Sequence, residues 1–163
     1  MKNEIRVAGV VKNSVVDGPG IRYVVFGQGC SLNCKDCHNP HTHDFNGGEL
    51  RDIYRIAQEI KSDPLLDGVT FSGGEPFAQT REFAALAALL DGYNIICYTG
   101  HTFEELYADS EARVLLDNVD VLIDGKYEGD SAGFNLRFKG SRNQRTIDAK
   151  ESVKCGKPIE IAL

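Results

Sequence analysis

Residues 68–76 read Gly68-Val69-Thr70-Phe71-Ser72-Gly73-Gly74-Glu75-Pro76. A short apolar run ends in a glycine pair, an acid and a proline, the pattern of a strand entering a tight break. The same pattern recurs on both sides. Upstream, Ile21 to Phe26 (IRYVVF) is a β-branched and aromatic run closed by Gly27. Downstream, Tyr93 to Tyr98 (YNIICY) runs into Thr99-Gly100, and Val119 to Ile123 runs into Asp124-Gly125. Helical stripes separate these runs. Leu50, Ile53, Ile56, Ala57 and Ile60 repeat every three or four residues until Pro64, which predicts one helix. Phe83, Leu86, Ala87 and Leu90 mark a second within Thr80 to Leu90, and Phe103 to Leu116 a third, in one or two pieces. Alternating strands and helices predict an α/β fold with parallel strands and right-handed crossovers. A complete eight-fold barrel takes ~250 residues. The 163 residues therefore predict a partial, incomplete parallel (β/α) barrel formed as a single domain, 1–163. Ligand sites in such sheets lie at the carboxyl ends of the strands, so the breaks after the strands predict a single site.

Composition narrows the function. Apolar residues make up 42% and charged residues 26%, as in ordinary globular proteins. A net charge of −6, with no strongly basic stretch, gives neither a nucleic-acid footprint nor a basic membrane-surface helix. No apolar run approaches the ~20 residues that span a bilayer, and the N-terminus lacks the apolar region of a signal peptide. A cytoplasmic protein is expected.

Five cysteines in a reducing compartment are free for metal binding or catalysis. Cys30, Cys34 and Cys37 crowd into eight residues of the long segment Gly27 to Gly48, while Cys97 and Cys155 stand alone. A loop of that length inside a compact domain is usually functional. Three thiolates at this spacing can ligate one iron–sulfur cluster, and the missing fourth ligand leaves one iron open to an exogenous molecule. Structural zinc is the alternative, with His38 completing a Cys3His set and His41 and His43 nearby. Zinc sites, however, usually pair two knuckles separated by a dozen or more residues, and no second knuckle is visible. Cys97, inside an apolar strand, reads as packing, and Cys155 as an exposed thiol.

Gly73 and Gly74 allow close approach of the backbone to a ligand, and Glu75 can meet a cationic group. A tight strand-to-helix turn explains the glycine pair equally well. Asp17-Gly18-Pro19-Gly20 reads as a tight turn. Gly140 to Arg145 (GSRNQR) is a basic, polar patch in an acidic protein, which a solvated loop would also explain.

Taken together, Cys30-x3-Cys34-x2-Cys37 and SGGEP at 72–76 resemble the radical S-adenosylmethionine enzymes. DGPGIR at 17–22 and CHNP at 37–40 resemble, more narrowly, the activating enzymes of glycyl radical enzymes. DVLIDGKY at 120–127 and RFKGSRNQRTID at 137–148 are similar to the branch serving anaerobic ribonucleoside-triphosphate reductase. The resemblance implies a [4Fe-4S] cluster on Cys30, Cys34 and Cys37, with S-adenosylmethionine on its fourth iron. It implies that Gly73, Gly74 and Glu75 hold the methionine moiety and that Asp36, Cys37 and His38 lie against the adenosine. The implied reaction is reductive cleavage to methionine and a 5′-deoxyadenosyl radical, which makes a glycyl radical on the large reductase component. An unidentified one-electron donor completes the set of partners. One departure stands out: the family commonly has an aromatic residue before the third cysteine, and this chain has Asp36. A small-molecule radical enzyme of the deazaguanine-synthase kind would share the triad and turn over without a protein partner. A zinc-stabilised, non-catalytic module is the third reading.

Overall fold

A computed structural model describes residues 3–133 and 135–163. In chain order, its strands and helices are β1 (Glu4–Ser14), β2 (Arg22–Gly27), β3 (Glu49–Asp52), α1 (Ile53–Lys61), β4 (Gly68–Gly73), α2 (Thr80–Ala88), β5 (Asn94–Tyr98), α3 (Phe103–Ala108), α4 (Ser110–Leu116), β6 (Val121–Asp124), β7 (Arg145–Asp148) and α5 (Ala149–Cys155). The described strands form one sheet in the order β3-β1-β2-β4-β5-β6-β7.

The sheet is mixed, which corrects the expectation of parallel pairing alone. Its centre, β2-β4-β5-β6, is parallel, while β1, β3 and β7 pair antiparallel at the flanks. The predicted strands form this parallel centre, and the flanking strands are additions to it. Strand β1 carries the alternation of a half-buried strand, with Ile5 and Val7 turned into the core.

The stripe that began at Leu50 also needs correction. Leu50 lies in the edge strand β3 and is exposed, and the helix starts at Ile53. Asp52 is the reason: its carboxylate accepts a hydrogen bond from the Arg55 N–H at 3.1 Å, capping the helix there. Ile53, Ile56, Ala57 and Ile60 then bury one face as expected, and each fully buried aliphatic side chain is worth about 1.5–3 kcal/mol. The segment 103–116 forms two helices. Thr102 and Glu105 close a capping box at the start of α3, and Asp109 interrupts the run and caps α4.

Alternation along the strands separates two faces. Val25, Val69, Phe71, Ile95, Cys97 and Leu122 join the main core with the helical residues Ile56, Phe83 and Leu115. Cys97 is therefore a core residue. The opposite face carries Arg22, Thr70, Ile96 and Ile123, and the loop before β2 folds over it. There Thr70 Oγ1 donates to the Asp17 carbonyl at 2.8 Å, and the space beside Gly18 is filled by Ile96 and Arg22. The sheet ends in β3 on one side. On the other, the tail from Ile159 to Ile161 lies along β7, bonding to Asp148 and Thr146.

Candidate functional site

At the carboxyl ends of the parallel strands a cavity of about 350 Å³ takes in Cys30, Cys34 and Cys37, Ser72 to Glu75, Tyr98 to Gly100, Gly125 and Tyr127. The four polar breaks seen in the sequence thus meet at one place. The cysteines come from the loop between β2 and β3, whose two arms are tied together. Gly29 N–H donates to Thr42 O at 2.7 Å, Cys30 N–H to His43 O at 3.2 Å, and the buried Gln28 amide to His41 O and Asp44 O. Within the loop, Asn33 and Asp36 have φ of 50° and 59°, the left-handed region that Asn and Asp tolerate better than most residues. Each immediately precedes a cysteine, so each reverses the chain ahead of a thiol. This gives Asp36 a backbone reason for its place.

All three thiols are free and half-buried. Burial pushes the Cys30 thiol up, and the nearby Glu75 charge adds to it. A cation at this position would reverse that balance. Among the described residues no group of three His, Cys, Asp or Glu side chains is set to hold one metal ion. Three thiols of one loop facing one cavity are a donor set that fits a cluster with one iron left open.

The glycine pair also serves the packing of the main chain. A Cβ on Gly73 (φ 93°) would sit 2.5 Å from the Gly27 nitrogen, and one on Gly74 would sit 2.5 Å from the Gly29 carbonyl oxygen. These glycines let the backbone leaving β4 press against the start of the cysteine loop. Gly74 N–H then donates to Gly27 O at 2.8 Å and Glu75 N–H to Gly29 O at 2.9 Å. The two motifs are joined main chain to main chain.

Glu75 is buried and already engaged. Its Oε1 accepts from Phe77 N–H at 3.0 Å and Thr99 Oγ1 at 2.8 Å, and its Oε2 from Gly100 N–H at 2.8 Å. A carboxylate has about four acceptor positions, so about one remains for a ligand. Burial holds the Glu75 carboxyl above the usual carboxylate range, against the pull of these hydrogen bonds. Of the remaining candidates, Cys37 and His38 line the cavity. The Asp36 side chain turns instead toward Gly129. Thr99 and Gly100 were legible only as a break after a strand. Their bonds to Glu75 join residues some 24 or 25 positions apart, which no local pattern reveals.

A family profile described as "4Fe-4S single cluster domain" matches residues 16–147, which contain every cavity element named above. The anaerobic ribonucleoside-triphosphate reductase-activating protein of Pasteurella multocida is 34% identical over 141 residues, covering 80% of this chain and 89% of that protein. This chain belongs to the radical S-adenosylmethionine activating-enzyme family. Two further relatives of this activating family bracket it. The protein of the same name from Enterobacteria phage T4 is 34% identical over 147 residues, covering 85% of this chain and 90% of its own length. The pyruvate formate-lyase-activating enzyme of Clostridium pasteurianum is 35% identical over 145 residues, 84% of this chain but 59% of the longer enzyme. Among the described residues, no helix of this activating-family member is long and apolar enough to cross a membrane.

Proposed function

We propose that the protein is the activating component of an anaerobic ribonucleoside-triphosphate reductase and makes a glycyl radical on the large reductase subunit. One observation carries the reading: three free cysteines of one loop open onto the same cavity as the SGGE turn and the ends of β5 and β6. The names of the relatives, at this coverage, point to the same target.

In this reading Cys30, Cys34 and Cys37 hold three irons, and among the described residues no fourth cysteine lines the cavity. Gly73, Gly74 and the remaining acceptor position of Glu75 hold the methionine end of S-adenosylmethionine. Cys37 and His38 lie against the adenosine, and Asp36 sets the turn that presents them. When bound, the [4Fe-4S] cluster and S-adenosylmethionine supply the chemistry: one electron breaks the sulfonium–C5′ bond, and the resulting 5′-deoxyadenosyl radical takes the glycine α-hydrogen. The chain orients the reactants and keeps water out, using a wall stitched by main-chain hydrogen bonds. An external one-electron donor is required. The 163 residues act as one domain, and the open sheet serves as part of a barrel whose side remains accessible to a loop of the reductase.

The test is anaerobic. The protein is reconstituted with iron and sulfide and given dithionite and S-adenosylmethionine, and 5′-deoxyadenosine is assayed. The product is expected to form, and Cys34→Ala to reduce it to background. Adding the large reductase subunit should then give a glycyl radical signal by electron paramagnetic resonance. Wild-type cleavage by the Cys34→Ala protein would sink the cluster assignment.

A further inference from the structure

The segment after β6 packs over the cysteine loop. The Tyr127 and His38 rings meet with centroids 4.4 Å apart at an interplanar angle of 50°, forming an aromatic corner, and both residues line the cavity. Asp36, the first residue of the stretch expected against the adenosine, points at Gly129 and offers no flat surface.

Tyr127 is held from both sides by the polar motif at 140–144. The Gln144 amide donates to Gly125 O at 3.0 Å, and the Asn143 amide to Lys126 O at 2.7 Å. Ser141 Oγ accepts from Glu128 N–H at 3.1 Å. The main chain is thus gripped before and after Tyr127. Gln144 Oε1 in turn accepts from the N–H groups of Gly140 and Ser141, closing the motif on itself. Gly140 leaves the room: a Cβ there would lie 3.0 Å from the Tyr127 ring. Ser141 and Gln144 are buried, so the stretch is a clamp rather than the solvated loop its composition also allowed.

We propose that Tyr127 is the adenine-binding residue of the site, with Ser141, Asn143 and Gln144 as its positioning residues. The flat ring offers the stacking face that the cysteine loop, with Asp36 turned away, does not provide. The inference rests on the S-adenosylmethionine reading and names the part of the site that takes the base.

The experiment is anaerobic calorimetry on the cluster-loaded protein, with S-adenosylmethionine and with methionine alone. Tyr127→Ala is expected to weaken S-adenosylmethionine binding by about tenfold or more, the size of one lost base–aromatic stack. Methionine binding should stay within about twofold, since that end of the site is untouched. Tyr127→Phe should bind S-adenosylmethionine as wild type does. Tyr127→Leu keeps bulk over His38 without the flat face and should behave like the alanine variant. Equal S-adenosylmethionine binding by the alanine or leucine variant would overturn the proposal, as would a parallel loss of methionine binding. Should the wild type bind methionine and S-adenosylmethionine equally well, the adenine site itself is refuted. Should it bind neither, the reading beneath the proposal falls first.

Discussion

The two ends of the parallel strands are each tied by one buried charged residue, and the two ties are built differently. At the amino ends Arg22 donates five hydrogen bonds: to Thr70 Oγ1, Pro19 O, Val69 O, and both the carbonyl and side-chain oxygens of Asn94. These acceptors are all neutral, and no space is left. A Cβ on Gly68 would lie 2.6 Å from the guanidinium. At the carboxyl ends Glu75 ties the turn after β4 to the end of β5, but it does so at the wall of a cavity and keeps about one acceptor position free. A cation saturated with neutral acceptors makes a closed seam. An anion left short of donors makes a seam that a ligand can complete. The candidate site sits at the end where the stitching is incomplete.

The largest effect is expected at the closed end. Arg22→Met leaves the buried carbonyls of Val69 and Asn94 without their donor and should lower unfolding free energy by about 3 kcal/mol in urea titration. A loss of less than about 1 kcal/mol would show that this end is not the seam described. Gly73→Ala comes next. Its Cβ meets the Gly27 backbone at a φ of 93°, so about 2 kcal/mol of stability should be lost. Iron bound per chain should fall as well, because the cysteine loop is pushed off the turn. A destabilised protein with full iron would separate the two motifs that the structure joins.

The smallest effect is the most diagnostic. Glu75→Gln replaces one acceptor oxygen with an amide donor and should cost about 1 kcal/mol at low pH. Burial raises the native Glu75 carboxyl above its ordinary value of 4.5, so the folded protein keeps this proton to higher pH than the unfolded chain does. The stability due to this group is therefore complete below that value and declines as pH rises through the native one. The glutamine variant lacks the decline, so its deficit relative to wild type should shrink between acid and neutral pH. A deficit that grows with pH would make Glu75 an ordinary anion-stabilised carboxylate.

The same contrast explains what the sequence could show. The cysteine triad and the SGGE turn are each local in the chain, and because each follows a strand of the parallel centre they could be placed at one edge. The parallel centre was legible because each of its strands is an apolar run closed by a glycine break. Strand β7 was not, because Arg145 to Asp148 is four residues long with a single large aliphatic, Ile147. Leu50 misled because its spacing from Ile53 continues a helical stripe, and only the Asp52 cap marks the true start. The structural bonds of Glu75 were not legible, because its donors at 99 and 100 belong to another strand. For the same reason a solvated loop remained open for the GSRNQR stretch: its acceptors at 125 and 126 are remote in sequence.

The margins of the sheet also bear on how the molecule behaves in a crowded solution. An open strand edge is a template on which another chain can build, and it invites aggregation. Here β3 is four residues long with three charges, Glu49, Arg51 and Asp52, and the far margin at β7 is shielded by the tail at 159–161. Neither margin offers a long apolar strand for another molecule to extend. An enzyme that must present an open cavity to a large partner can thus meet that partner without its sheet recruiting copies of itself.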